Sequence, residues 1–217
     1  MTSIAFINPN STTEMTASCI NAGAHCVTDG INLIGVTNVD GPPSIQGAAD
    51  GEVAIPGLLS AIDAHQHMDG FIIGCFDNTG LEKARKITDK PVIGIGQAAY
   101  HMAVMTNERF TVLTTLDVSV PVIKQNIKEL GFSMWCDDVV ASGVPVLQLE
   151  FQPEIAVPKV RQSIEEIKLQ FPETAIVLGC AGMTTIKSEL VEQRKSVQLI
   201  DPVTSAIRLI CAAINEV

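Results

Sequence analysis

Gly70-Phe-Ile-Ile-Gly-Cys75-Phe-Asp-Asn-Thr-Gly-Leu81 and Ala175-Ile-Val-Leu-Gly-Cys180-Ala-Gly-Met-Thr-Thr-Ile186 follow one pattern. Each begins with an apolar run, passes through Gly-Cys, continues with small or polar residues and enters a helical stretch. The apolar runs are continuous rather than alternating, which marks strands covered on both faces, as in parallel sheets flanked by helices. The two cysteines stand 105 positions apart in a chain of 217 residues. A repeat at nearly half the chain length predicts two similar α/β lobes, each presenting one cysteine from the carboxyl end of a strand.

The remaining chain reads in the same alternation. Strands are predicted over Ile4–Ile7, Ile31–Thr37, Pro91–Gly96, Arg109–Leu116, Met134–Ala141 and Gln198–Asp201. Helices are predicted from Ser11 or Thr12 to about Cys26, and over Val53–Gln66, Gln97–Met105, Val120–Leu130, Ile155–Gln170, Thr184–Arg194 and Pro202–Asn215. Ser11 followed by Glu14 has the spacing of a capping box. Asp201 before Pro202 suits the start of the last helix. Gly41-Pro-Pro-Ser44 is a rigid loop.

Composition narrows the function. Apolar residues make up 47% of the chain and charged ones 18%, enough for a packed core and against disorder. A formal net charge of −10 argues against nucleic acid or an anionic membrane as partner, since phosphates are repelled at long range. The N-terminal residues lack the basic and apolar regions of a secretory signal, and the apolar runs are too short to cross a bilayer. A cytoplasmic location is expected. Six cysteines invite a disulfide reading, but a chain of this size with no export signal needs no staples. No CxxC or HExxH spacing occurs, so no metal site is expected. Cys19, Cys26, Cys136 and Cys211 read as packing residues. His65 and His67 read as helix-end residues, His101 as core or hinge, and Glu165–Glu166 as a solvated face. Gly94-Ile-Gly96 lacks the third glycine of a dinucleotide fingerprint and reads as a hinge.

Cys75 and Cys180 invite chemistry. Ligands of open parallel sheets sit beyond the carboxyl ends of the strands. A cysteine there, ahead of a helix, lies in a field that favours thiolate over thiol. Gly74 and Gly179 let the backbone approach a ligand, and the residues after each cysteine offer N–H groups to an anionic oxygen. Two such sulfurs facing each other can flank one carbon. A thiolate removes a proton from one face and a thiol delivers one to the other, inverting the centre. The pair runs backwards with roles exchanged, so no cofactor is required. The carbon must be acidified by an adjacent carbonyl. The rival reading is that both are small packing residues.

Ile7-Asn-Pro-Asn-Ser-Thr12, Gly41-Pro-Pro-Ser-Ile45, Gly74-Cys-Phe-Asp-Asn-Thr-Gly-Leu81 and Leu178-Gly-Cys-Ala-Gly-Met183 resemble segments of the aspartate/glutamate/hydantoin racemase superfamily, within it the hydantoin and allantoin racemase branch. Pro91-Val-Ile-Gly-Ile-Gly96 and Val112-Leu-Thr-Thr115 fit as well, so the resemblance runs from end to end. It implies two pseudo-symmetric lobes, each a mostly parallel sheet flanked by helices, with the active site in the cleft between them. Lobe I is drawn as residues 1–96 and 199–217, lobe II as 97–198. Cys75 and Cys180 would be the paired acid and base. Asn8 would orient the nearby thiol and ligand. Ser44, Ile45 and Phe76 would line the substrate. Asn78, Thr79, Thr114 and Thr115 would contact ligand oxygens, and Ala181 and Gly182 would supply backbone N–H groups.

An Asn at position 8 and Ala-Gly-Met after Cys180 depart from the amino-acid racemases and point to a neutral cyclic substrate, a 5-substituted hydantoin or allantoin. The resemblance implies a small-molecule substrate, no cofactor, no metal and self-association. Its rivals are an aspartate/glutamate-type racemase, a maleate cis–trans isomerase and a non-catalytic small-ligand-binding protein. A decarboxylase of the single-thiol kind would lack the first cysteine. A thiol-redox role would require a disulfide between the two.

Overall fold

The structure is a computed structural model that describes residues 2–107, 109–191 and 197–214. One parallel sheet contains β1 (Thr2–Asn8), β2 (Ile31–Thr37), β3 (Gly70–Ile73) and β4 (Val92–Gly94), ordered β2-β1-β3-β4. The other contains β5 (Phe110–Thr114), β6 (Cys136–Ala141), β7 (Ala175–Leu178) and β8 (Leu199–Ile200), ordered β6-β5-β7-β8. The two halves thus share one strand order, as the repeat requires. The helices are α1 (Thr13–Gly23), α2 (Ala48–Ala64), α3 (Leu81–Ala84), α4 (Ile95–Thr106), α5 (Val120–Glu129), α6 (Val146–Phe151), α7 (Pro153–Gln170), α8 (Met183–Val191) and α9 (Pro202–Ala213).

Registers place the two cysteines at matched points. Ile7 pairs with Ile73, and Leu113 pairs with Leu178. The next amide of each cysteine strand continues the ladder: Gly74 N–H donates to Ile7 O at 2.8 Å, and Gly179 N–H to Leu113 O at 2.7 Å. Both glycines are needed there. A Cβ on Gly74 would lie 2.6 Å from the Phe6 ring, and one on Gly179 would lie 2.8 Å from Leu113 O. The strands β3 and β7 are fully buried, so their unbroken apolar runs face protein on both sides.

The sheets share a core. Phe6 and Ile72 from one sheet and Val112 and Val177 from the other belong to one buried cluster, with Tyr100 of α4 and Ile207 of α9 between them. The Tyr100 ring stacks on Phe110 and meets Phe76 edge-on, each with centroids 5.6 Å apart. Separate clusters fill the outer faces, around Leu58 and Phe71 on the first lobe and Leu149 and Val160 on the second.

Several expectations shift. β8 hydrogen-bonds with β7, so residues 199 and 200 belong to the second sheet, although the sequence division assigned them to the first lobe. The reason is that the chain returns to the first lobe only with α9, which packs on α1, α4 and β3. Helix α2 begins at Ala48 rather than near Val53. Gly47, at φ 98°, makes the turn into it, and the Asp50 carboxylate accepts from Gln46 N–H at 2.9 Å. The short α6 was not expected.

The capping box at Ser11 does not form. Thr12 is the N-cap residue, its hydroxyl donates to Pro43 O at 2.7 Å, and Asn10 Oδ1 accepts from Thr12 N–H at 3.0 Å. Asp201 does cap α9, accepting from Val203 N–H at 2.9 Å and Thr204 N–H at 3.1 Å. The predicted ends at Arg194 and Asn215 lie outside the described residues. Among the described residues no helix is long and apolar enough to cross a membrane.

Candidate active site

A cleft opens where the carboxyl ends of the two sheets meet, and both Cys75 and Cys180 line it. The first lobe contributes Gly74, Cys75, Phe76 and Asp77 after β3, Asn10 and Met15 from the β1–α1 turn and α1, and Ile45 from the Pro-Pro loop. The second contributes Thr114 and Thr115 after β5, Ser119 and Ile123 beside them, Val146 of α6, and Gly179, Cys180 and Ala181 after β7. Neither cysteine is in a disulfide.

Each cysteine begins the same kind of turn. Asn78 N–H donates to Cys75 O and Met183 N–H donates to Cys180 O, both at 3.1 Å. Beyond that the two loops diverge. After Cys180 the chain enters α8 at once, and the N–H groups of Gly182 and Met183 point at the Cys180 sulfur. After Cys75 the chain makes a longer excursion, with Asn78 at φ 55° and Gly80 at φ 70°, before the single turn of α3. Here the neighbour is an acid: the Cys75 thiol shares a hydrogen bond with the Asp77 carboxylate.

These surroundings set the proton affinities. Burial pushes the Cys180 thiol up to about 11, opposed by the N–H groups of Gly182 and Met183 and assisted by the negative charges of Asp77 and Glu150. Burial and then the Asp77 carboxylate drive the Cys75 thiol well above the ordinary range, with the Thr79 hydroxyl opposing weakly. Both settings thus favour the thiol, Cys75 the more strongly, and Cys180 is the sulfur more readily ionised of the two.

The residues singled out from sequence fall into three groups. Cys75, Cys180, Ile45, Phe76, Thr114, Thr115 and Ala181 line the cleft. Thr114 is partly committed, its hydroxyl donating to Gly179 O at 3.2 Å. Gly182 acts on the cleft only through its N–H to the Cys180 sulfur.

Asn8, Ser44, Asn78 and Thr79 are buried but are not among the residues lining the cleft. Asn8 builds the turn: its Nδ2 donates to Asn10 Oδ1, Thr12 O and Thr16 Oγ1 at 2.9, 3.1 and 3.0 Å, and its Oδ1 accepts from Asn10 N–H at 3.1 Å. Asn78 Oδ1 accepts from Gln97 N–H at 3.0 Å, locking the Cys75 loop to the start of α4. Gly94 and Gly96, read as a hinge, make room for this lock, since a Cβ on Gly94 would lie 2.1 Å from Asn78 Oδ1. Thr79 turns its N–H, at 3.0 Å, and its hydroxyl onto Asp77 Oδ1.

Sequence reasoning missed Asn10, Met15, Asp77, Ser119, Ile123 and Val146 as cleft residues. His101 lies on the surface against Phe132, not in the core, and His65 and His67 stack on each other at the end of α2. Among the described residues no group of three His, Cys, Asp or Glu could hold a metal ion.

The fold and the paired thiols define a protein class. Residues 4–210 match the family model described as Asp/Glu/Hydantoin racemase, and the chain belongs to that family. It is 40% identical over 209 residues to a hydantoin racemase of Rhizobium meliloti, covering 95% of this chain and 86% of that protein. It superposes on an allantoin racemase from Klebsiella pneumoniae with a TM-score of 0.94 at 34% identity, covering 100% of this chain and 89% of that one. An allantoin racemase from Pseudomonas fluorescens gives a TM-score of 0.92 at 27% identity, covering 99% of this chain and 91% of that one.

Proposed function

We propose that this protein is a racemase of hydantoins, taking a 5-substituted hydantoin or allantoin, and that Cys180 and Cys75 exchange the C5 proton from opposite faces. The observation that carries this reading is two free thiols at matched strand ends on one cleft, with N–H groups beside one sulfur and a carboxylate beside the other. The family and the hydantoin and allantoin racemases it resembles support the substrate class.

The Cys180 thiolate takes the C5 proton. The carbon–hydrogen electron pair moves onto the adjacent carbonyl oxygen, giving an enolate. The Cys75 thiol returns a proton to the other face, leaving Cys180 as thiol and Cys75 as thiolate, and the mirror reaction runs from that state. Positioned proton transfer of this kind contributes about 10²–10⁴-fold on each side. Ala181 N–H and the hydroxyls of Thr115 and Ser119 are the donors that line the cleft for the enolate oxygen. The reaction so written uses no cofactor. On the same reading the protein is cytoplasmic and self-associates, and the lobes divide where the chain passes from β4 into α4 and again after β8.

The test is a panel of enantiopure aliphatic and aromatic 5-substituted hydantoins, allantoin, aspartate and glutamate followed by circular dichroism, with maleate followed by product analysis. Racemisation of the hydantoins or allantoin alone is expected. Turnover of an amino acid or of maleate, with every hydantoin untouched, would overturn the assignment in favour of the superfamily's other reactions.

A further inference from the structure

The only acidic side chain among the cleft-lining residues, and the only charged one, is Asp77. It is half-buried and forms no ion pair among the described residues. Its position is fixed from both lobes. Thr79 donates twice to Oδ1, through its N–H at 3.0 Å and its hydroxyl. Asn126 of α5 donates through Nδ2 to the Asp77 main-chain oxygen. Such anchoring holds the carboxylate at the cleft wall rather than letting it swing to solvent. No lysine, arginine or histidine lines the cleft to offset it. The field of Glu150, which reaches Cys180, has the same sign, and so does the thiolate that starts the reaction.

We propose that Asp77 is a specificity-determining residue that selects net-neutral, N–H-bearing substrates and excludes those with a carboxylate close to the ring. This rests on the racemase reading above and adds the rule by which that site sorts its substrates. A carboxylate brought into the cleft meets like charge with little water to screen it, whereas a ring or ureido N–H can donate to a carboxylate that keeps acceptor capacity beyond its bonds to Thr79 and the Cys75 thiol. Rejection of the wrong ligand by unmatched charge is a stronger sieve than shape alone.

The experiment compares two isosteric ligands that differ by one charge, hydantoin-5-acetic acid and its amide, 5-(carbamoylmethyl)hydantoin, in the wild-type protein, Asp77→Asn and Asp77→Glu. Binding is read by calorimetry and racemisation by circular dichroism. The wild type is expected to bind and racemise the amide at least tenfold better than the acid. Asp77→Asn should bring the binding ratio to within about threefold, and Asp77→Glu should keep the wild-type preference. Equal binding of the two ligands by the wild type, or an unchanged binding ratio in Asp77→Asn, overturns the proposal. The binding ratio stands apart from turnover. A preference for the amide without racemisation of either ring would keep the charge rule and overturn the racemase reading instead.

Discussion

The loops that follow β3 and β7 start from the same strand end, the same Gly-Cys pair and the same first hydrogen bond, and then set opposite charges beside the sulfur. At Cys180 the chain turns directly into α8 and gives the sulfur N–H groups. At Cys75 extra residues intervene, and one of them is Asp77. A symmetric pair of thiols would compete for a single proton. The divergence of the loops makes the two sulfurs unequal, Cys180 losing its proton more readily than Cys75. Pseudo-symmetry brings both sulfurs to one cleft, and its breaking gives them different proton affinities.

The largest test of this comparison is removal of each sulfur in turn. Cys75→Ser and Cys180→Ser are each expected to reduce racemisation of a 5-substituted hydantoin by about 10³-fold or more. Each should still exchange the C5 proton of one enantiomer with solvent deuterium, the opposite enantiomer in the two variants, as read by proton NMR in heavy water. Full racemisation by either variant would remove the need for two bases.

Asn8→Ala comes next. It strips four hydrogen bonds from a buried turn, and about 3 kcal/mol of stability should be lost in a urea titration, with activity at low temperature falling much less. A large loss of activity in a variant of unchanged stability would restore Asn8 as a residue acting on the ligand.

The paired glycines sharpen the contrast further. Gly179→Ala meets the backbone oxygen of Leu113, and Gly74→Ala meets first the ring of Phe6. Side chains yield more readily than backbone, so the cost should be about 2 kcal/mol or more at Gly179 and smaller at Gly74 by the same titration.

The smallest effect is on pH. Both thiols are raised, so the thiolate fraction is low at neutrality and kcat/KM should climb with pH toward the Cys180 value of about 11. Asp77→Asn removes a like charge from both sulfurs, and the climb should begin at lower pH by up to about one unit. A profile flat from pH 7 to pH 10 would contradict the assignment of a buried thiol as base.

The strands and most helices were legible because continuous apolar runs and helical periodicity are local signals, and the Gly-Cys repeat fixed their grouping. Cys75 and Cys180 were legible for the same reason: a residue just past a buried strand has a known place. Direction was harder. Asn8 and Asn10 are near neighbours of the same type, yet the turn points Asn10 into the cleft and spends every polar atom of Asn8 on the turn itself. Val146 reaches the site from α6, six residues too short to show a period. Asp77 is one polar residue among several in its loop, and only its placement on the cleft wall separates it from Asn78 and Thr79. In the loop at Cys75, Asn78 Oδ1 holds the loop to α4 and Thr79 holds Asp77, two anchoring roles that residue type and spacing do not show, while Asn78 Nδ2 has no protein partner among the described residues.

The hydrophobic cluster common to both sheets has a mechanical consequence. With Tyr100 and the apolar face of α9 packed between the sheets, the lobes share one continuous core, and parting them would expose buried apolar surface to water. The loop around Gln46 and Gly47 ties one lobe to the other on the cleft side, where Val146 N–H donates to Gln46 Oε1 at 3.1 Å.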